Sequence, residues 1–375
     1  MEEFKTYTLE ELSLNKGTYG IAASAVPYDD SKLTYLRITD INDDGTLNTQ
    51  SLMSVDEPNA SDYLLKKNDI VFARTGNSTG RTYFYQGNEC PLVYAGFLIK
   101  FSIDEKKVNP LLLKYYTHSR IYYDWVKSFD TGGTRGNINA KTYGNMPIRI
   151  PASRKTQDKI VDILSSLDEK IALNRRINDN LEQQAQALFK SWFVENASYS
   201  GVSISEYFLP NRGKNLLVSD AKGGKTPVVA GGLTPSAFHN VANTKAPVIT
   251  ISASGANAGF VNLWGIPVWA ADSSYIDSTI VSNIYFWYNL LKYNQKNIYE
   301  SQTGSAQPHI YPKHIGNLLI PDLDMRKVEC YESIVASMYL QINEIQQETK
   351  FLSDLRDTLL PKLISGELKI NDLNC

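Results

Sequence analysis

Thr131-Gly132-Gly133-Thr134-Arg135-Gly136-Asn137-Ile138-Asn139-Ala140-Lys141-Thr142-Tyr143-Gly144-Asn145 is answered later in the chain by Thr303-Gly304-Ser305-Ala306-Gln307-Pro308-His309-Ile310-Tyr311-Pro312-Lys313-His314-Ile315-Gly316-Asn317. Thr131, Ile138, Lys141 and Asn145 find their counterparts at Thr303, Ile310, Lys313 and Asn317, each 172 residues on, with no gap. Both stretches then pass an Ile-Pro step, Ile150-Pro151 and Ile320-Pro321, into a long amphipathic segment. A repeat of this length is a duplicated domain plus helix, not a short solenoid unit. It predicts two recognition surfaces held at a fixed separation.

The amphipathic segments carry the architecture. From Gln157 to about Trp192 there is no Pro or Gly, and a heptad seam runs through Ile160, Leu164, Leu167, Ile171, Asn174, Asn178, Leu181, Ala185, Leu188 and Trp192. The second, from about Lys327 to Leu360, offers Val335, Met338, Ile342, Ile345, Thr349, Leu352, Arg356 and Leu359, matching Leu164 through Leu188 at an offset of 171. Sustained a/d spacing reads as coiled coil. The alternative is two amphipathic helices packed on separate domains; matched length and register favour mutual pairing. A helix of about 36 residues is roughly 54 Å long. An antiparallel pair would set the modules at opposite ends of a rod, and a parallel pair would set them side by side. Asn174 and Asn178 interrupt the apolar seam and are candidate register pins, or else face solvent or a partner. Pro361 is expected to end the second helix, with Gly366 as the stop. Glu367-Leu368-Lys369-Ile370 is expected to add a short strand to a module edge.

The expected fold is therefore α+β: two pseudo-repeated β-rich domains joined by two long helices forming an antiparallel coiled coil. The domains are residues 1–152, a helix over 153–196, a second domain over 197–322, and a C-terminal helix and tail over 323–375. Short apolar runs broken by Gly, Asn, Asp and Pro predict strands at Tyr35–Ile38, Asp69–Ala73, Leu92–Tyr94 and Phe97–Phe101, then a helix from Pro110 to about Trp125. The second domain repeats the plan with Val228–Ala230, Val248–Ser252 and Val268–Ala270, then a helix near Ser282–Leu291. Asn15-Lys16-Gly17 echoes Asn211-Arg212-Gly213 at an offset of 196, which implies an insertion of about 24 residues in the first domain.

Two glycine-bearing loops after the second strand are the expected working surfaces. Arg74-Thr75-Gly76-Asn77-Ser78-Thr79-Gly80-Arg81 parallels Ser252-Ala253-Ser254-Gly255-Ala256-Asn257-Ala258-Gly259. Gly-x-x-x-Gly lets backbone NH groups approach an anion, while Arg and Asn suit guanine and adenine edges. The bland reading is a glycine-rich β-turn; recurrence at matching positions favours the functional one. The candidate DNA-binding set is Lys16, Tyr19, Arg74, Thr75, Asn77, Ser78, Arg81, Thr134, Arg135, Asn137 and Lys141 in the first domain. In the second it is Lys225, Ser252, Ser254, Asn257, Ser305, Gln307, His309 and Lys313.

Composition and missing motifs exclude several classes. A length of 375 residues, 42% hydrophobic and 21% charged, fits an ordinary globular protein of two domains or more. Three cysteines without CxxC spacing indicate neither a disulfide framework nor a thiolate zinc site, and suggest a reducing, cytoplasmic setting. No signal peptide or membrane-spanning run is read. A net charge of −2 leaves any anionic partner to local patches or another subunit. Gly224-Lys225-Thr226 lacks the first glycine of a phosphate-binding loop, where Ser219 stands. Pro321-Asp322 with Glu348 and Lys350 mimics a nuclease metal signature, yet Glu348 and Lys350 fall on the expected coiled coil, where a solvated face is the better reading. The four histidines lack zinc spacing, so no metal site is assigned. No two prolines are adjacent, which rules out the Asn/Asp-Pro-Pro-aromatic motif of amino-directed DNA methyltransferases. No catalytic residue is assigned.

The repeated domain, the heptad helices, Ile150-Pro151 leading into Leu167-Asp168-Glu169-Lys170-Ile171, and Leu360-Pro361-Lys362-Leu363-Ile364-Ser365-Gly366-Glu367-Leu368 together resemble a type I restriction–modification specificity subunit. The resemblance covers essentially the whole chain. It implies that each domain is a target recognition domain reading half of a bipartite site in double-stranded DNA. It also implies that the paired helices act as a ruler and dock two methyltransferase subunits. S-adenosylmethionine, ATP and Mg are then expected in the methyltransferase and motor–nuclease partners, with no cofactor in this chain. The chain departs from the family at the usual acidic-Gln pair, which is thinned to Thr156-Gln157 and missing at Asp324-Met325-Arg326. The competing classes are a self-contained enzyme and a coiled-coil scaffold that does not read DNA sequence.

Overall fold

The computed structural model describes residues 3–87, 90–129, 136–195, 197–304 and 307–369. The chain divides into two compact units, Met1–Lys170 with Leu352–Cys375, and Ile171–Phe351. In chain order the first unit holds β1 (Phe4–Thr8), β2 (Thr18–Tyr19), β3 (Ala25–Val26), β4 (Leu33–Leu36), β5 (Met53–Val55), β6 (Asp69–Ala73), β7 (Thr82–Tyr85), β8 (Leu92–Tyr94) and β9 (Leu98–Ser102). Helices α1 (Pro110–Tyr116), α2 (Arg120–Lys127) and α3 (Ala140–Gly144) follow, then β10 (Pro147–Pro151) and the start of α4 (Arg154–Phe193). The second unit contains the rest of α4, β11 (Asn211–Arg212), β12 (Thr226–Val229), β13 (Ala237–His239), β14 (Val248–Ser252), β15 (Val261–Trp264), β16 (Trp269–Ala270) and β17 (Ser273–Asp277). Helices α5 (Ile284–Tyr293), α6 (Gln295–Glu300) and α7 (Pro312–Gly316) come next, and α8 (Met325–Ser365) begins there.

Each module is built around one strand buried on both faces. In β6, Ile70 and Phe72 join the core formed with α1, α2 and α4, whereas Val71 and Ala73 join a second core beneath the sheet of β4 and β8. This double burial explains the unbroken apolar run. The central sheet has the order β2-β9-β6-β7, and the second β3-β5-β4-β8 with β4 and β8 parallel. The second module repeats both as β11-β17-β14-β15 and β13-β12-β16, with β12 and β16 parallel.

The strand register revises the expected alignment of the front halves. Tyr19 pairs with Ile99 and Arg212 with Ser274; Gly20 N donates to Leu98 O as Gly213 N donates to Ser273 O. Gly213 therefore matches Gly20, not Gly17. The offset there is 193 (213 − 20), so the first module carries 21 extra residues by its end (193 − 172), not 24. Fourteen of them lie between β4 and β6, where 32 residues stand against 18 between β12 and β14.

The single helix expected from Pro110 to Trp125 is two. Ser119 adopts an extended backbone (ψ 157°) and its hydroxyl caps α2 at Tyr122 N, which interrupts the helix over 117–119. Phe97 stands outside β9, which starts at Leu98. Pro361 does not end α8. Leu360, Leu363 and Ile364 on either side of it are buried in the first core, which offsets the roughly 3 kcal/mol cost of a mid-helix proline. The helix instead ends before Gly366, whose φ of +78° few other residues adopt. No strand forms over residues 367–369, and Ile370 lies outside the described residues.

Within each unit the two long helices run antiparallel. In the first, Arg356 Nη1 donates to Asp168 at 3.0 Å, and Asp168 also accepts the Tyr115 hydroxyl at 2.9 Å. In the second, the Tyr331 hydroxyl donates to Ala185 O at 2.8 Å, and Asn174 Nδ2 to Glu348 at 2.8 Å. The expected seam residues Leu164, Ile171, Asn174, Val335 and Ile342 are buried, and Leu167, Leu181, Leu188, Met338, Ile345, Leu352 and Leu359 are half-buried. Glu348 and Lys350 are exposed residues of α8, although Glu348 reaches Asn174 and the Lys350 ammonium lies 5.2 Å from the Phe238 ring centroid. Neighbouring positions such as Phe189, Tyr331 and Tyr339 pack into the second module's own core. Each helix thus serves its partner helix along one face and a module along another. The carboxylate of Glu332 accepts from Tyr285 N and Phe286 N and so caps α5; burial raises its pKa against the pull of those two donors.

Candidate nucleic-acid interface

The loops following β6 and β14 share one backbone. Gly80 N donates to Ala73 O at 3.0 Å and Gly259 N to Ser252 O at 2.7 Å. Ile138 N donates to Arg74 O at 3.0 Å, and Ile310 N to Ala253 O at 2.9 Å. All four loop glycines have positive φ: +73° and +88° at Gly76 and Gly80, +83° and +87° at Gly255 and Gly259. A Cβ on Gly80 would stand 2.6 Å from Val126, and one on Gly259 3.0 Å from Ile298, so the helix behind each loop also requires glycine. The loops therefore correspond at an offset of 179, one more than a residue-by-residue reading from Arg74 and Ser252. Arg74 answers to Ala253, and Thr75 to Ser254.

Side chains on this common frame differ. In the first module Tyr19 is exposed, the Arg74 guanidinium lies 5.1 Å from its ring centroid, and its hydroxyl accepts from Ala140 N at 3.1 Å. Arg74 Nε also reaches Asn137 Oδ1 at 3.5 Å. The structure thus gathers Tyr19, Arg74 and Asn137 at one end of the sheet, with half-buried Thr75 and exposed Asn77 beside them. Ser78 is buried beneath the loop. Arg81 is engaged elsewhere: it donates to Asp43 at 2.6 Å and to Ile41 O at 3.1 Å, both in the inserted segment. Lys16 and Lys141 are exposed, Lys16 standing 3.9 Å from Glu10. Thr134 and Arg135 lie outside the described residues.

In the second module Ser254 Oγ donates to the Asp272 carboxylate, which also accepts from Arg212 Nη2 at 2.5 Å. Ser252 is buried and Asn257 half-buried. His309 pairs its backbone with Thr303 and stacks on Tyr311 with 6.0 Å between centroids. Gln307, Lys313 and Lys225 are exposed, and Ser305 lies outside the described residues. Lys225 sits in a turn leading into β12, a strand, whereas a phosphate-binding loop opens a helix.

Three rim residues escaped the sequence reading: Phe97, Arg212 and Asp272. Phe97 O accepts from Arg74 N at 3.1 Å, and Asp272 O accepts from Ala253 N at 3.1 Å. Phe97 and Asp272 are therefore counterparts, as Tyr19 and Arg212 are. Phe97 is 59% exposed, a large apolar surface at the sheet end. Laying Ala95 over Ala270 would have found the pair.

A duplicated module with a shared backbone frame and differing rim side chains defines a protein with two unlike surfaces at matching sheet ends. The type I restriction modification DNA specificity domain matches residues 1–183. The chain is 28% identical over 240 residues to the type I restriction enzyme HindI specificity subunit of Haemophilus influenzae, a match spanning 60% of this chain and 49% of that relative. The chain thus spans about half the length of that relative. It is 25% identical over 256 residues to a putative type I specificity subunit of Mycoplasma pneumoniae, covering 64% of this chain and 68% of the relative. The solved type I restriction–modification S subunit from M. genitalium shares the fold, with a TM-score of 0.62, 20% identity and 96% of each chain covered. Residues 1–183 thus match the type I DNA specificity domain model, and the chain is similar to type I specificity subunits. Members of that family are generally non-catalytic. No helix among the described residues is long and apolar enough to cross a membrane.

Proposed function

We propose that this chain is the DNA specificity subunit of a type I restriction–modification complex. Each module reads one half of a bipartite, asymmetric site in double-stranded DNA, and the paired helices dock two methyltransferase subunits and set the gap between half-sites. Methylation and cleavage reside in partner methyltransferase and motor–nuclease subunits, which bring S-adenosylmethionine, ATP and Mg, and the complex works in the cytoplasm. The observation that carries this reading is the contrast at the rim. Two modules with matching loop backbones present Tyr19, Arg74 and Phe97 in one case, and Arg212, Ser254 and Asp272 in the other. A scaffold that ignores DNA sequence has no use for that difference.

The chain's own part is to bind and orient DNA. Backbone NH groups and hydroxyls suit phosphates and fix register, while Arg, Asn and carboxylate side chains discriminate base edges. With a net charge of −2 the isolated chain draws DNA weakly, so tight specific binding needs the partners. Mapping methylated bases in DNA from cells making the chain with a modification subunit tests the function. A two-part motif with unlike halves is expected; methylation without a motif would overturn it. Equal site affinity of the isolated chain and the assembled complex at matched salt would overturn the dependence on partners. A matched heptad inserted after Leu181 and Leu352 adds roughly 10 Å of helix, at most about three base pairs at 3.4 Å per step. The half-sites should stay the same while the gap grows. An unchanged gap with activity retained would remove the helices from that role.

A further inference from the structure

We propose that Asp272 is a base-reading residue of the second module, its carboxylate accepting an exocyclic amino group, cytosine N4 or adenine N6, in the major groove. The inference rests on the DNA-reading function above and names a residue that reads. Asp272 lies immediately before β17, at the sheet end where the first module gathers Arg74, Tyr19 and Phe97. Its side chain is 33% exposed and that of Arg212 43%, so the pair is open to a ligand.

The carboxylate is not needed to build the turn. Ala253 N donates to Asp272 O at 3.1 Å and Gly213 N to Ser273 O at 2.8 Å, all backbone. The first module makes the same two bonds with Phe97 in that place, Arg74 N to Phe97 O at 3.1 Å and Gly20 N to Leu98 O at 3.2 Å. What the carboxylate adds is acceptor capacity. An ionised carboxylate offers about four lone-pair sites, and Arg212 and Ser254 supply one donor each. About two remain.

The Arg212 guanidinium also balances the negative charge, which lowers the repulsion a bare carboxylate would meet near a polyanion. Cytosine N4 and adenine N6 are the amino donors of the major groove, and Asp and Glu are acceptor-only partners for them. At the corresponding positions the first module has Tyr19, Arg74, Thr75 and Phe97, a cationic donor and no carboxylate. The first rim therefore offers a guanidinium without a carboxylate, and the second a guanidinium paired with one.

The test is methylome mapping of the full chain expressed with its modification subunit, wild type against Asp272→Asn and Asp272→Phe. The phenylalanine variant copies the side chain that the first module carries on the same backbone turn, so it reports even where the asparagine variant folds poorly. We expect the first half-site unchanged and one position of the second half-site relaxed. Methylation of the original sites should fall roughly 5- to 100-fold, the range of one good base-edge contact. The base lost at that position, cytosine or adenine, identifies the amino group. An unchanged motif with undiminished methylation, or an equal loss at cognate and non-cognate sites, overturns the assignment. A wild-type complex that methylates without any two-part motif overturns the function itself and is read from the control.

Discussion

The first module holds its rim arginine over a tyrosine ring, and the second ties its rim arginine to a carboxylate. Arg74 rests on Tyr19, whereas Arg212 is bonded to Asp272. The loop backbones beneath them share the bonds at Gly80 and Gly259, Arg74 and Ala253, and Ile138 and Ile310. The difference teaches that the fold constrains the main chain at this end of the sheet and leaves the side chains free. The second contrast lies further back. The first module carries 14 more residues between its equivalent strands, and this insertion reaches Arg81 through Asp43 and packs Gly45 against His118.

The strongest way to break the likeness of the modules is to remove a core anchor from one. Tyr143 is fully buried, packs on Phe72 with 4.7 Å between centroids, and donates its hydroxyl to Ala73 O at 2.9 Å. Its counterpart in the repeat is Ile315. Tyr143→Ala should destabilise the first module by about 3–5 kcal/mol. Hydrogen exchange should then show the amides of β6 and β9 losing protection while those of β14 and β17 keep theirs. Equal loss in both sets would mean that the modules do not have separate cores.

Acid should separate them next. Burial, aided by the Lys114 charge, depresses the His118 pKa to about 4, with Asp44 opposing. An unfolded histidine titrates near 6.5, so as pH falls the unfolded chain takes the proton first. The stability at stake is fully present above about pH 6.5 and is lost as pH drops through about 4, amounting to about 3 kcal/mol at most. His118→Gln should flatten the urea-midpoint profile of the first module between those values. A profile that keeps its slope in the variant would assign the effect to other groups.

Arg74→Ala should relax one base of the first half-site and weaken binding by about 1–3 kcal/mol if the guanidinium reads an edge. Loss shared by every sequence would make Arg74 a phosphate contact. The smallest effect concerns the helices. Asn174 is fully buried; its Nδ2 donates to Glu348, and its Oδ1 has no hydrogen-bond partner among the described residues. Asn174→Leu should raise the melting temperature, with a gain of about 1 kcal/mol, and a lowered melting temperature would make the amide a net stabiliser.

Much of this architecture was legible because the repeat and the heptads are statements about spacing. The 172-residue offset survives as matched bonds from Ile138 and Ile310, and the seam residues are buried or half-buried as the rhythm required. Three features lay beyond spacing. Ser119 breaks the α1–α2 segment through its own side-chain cap, a competition that apolar periodicity does not register. Pro361 stays helical because buried neighbours outweigh a local preference. Strand register is what fixed that Phe97, Arg212 and Asp272 share a sheet end with the loops, a placement that spacing alone does not give. Lys141 was read from its match to Lys313 and Lys16 from the echo of Asn15-Lys16-Gly17 in Asn211-Arg212-Gly213, and both side chains are exposed.

The hydrogen bonds that shape the rim run from main chain to main chain: Gly80 to Ala73, Gly259 to Ser252, Ile138 to Arg74, Ile310 to Ala253. Mutational drift among Tyr19, Arg74, Phe97, Arg212 and Asp272 therefore erodes little of what keeps either module folded. Under the proposed function, a lineage carrying this chain can wander between DNA preferences by single substitutions without crossing an unfolded ancestor, while the glycines that hold the loops stay put.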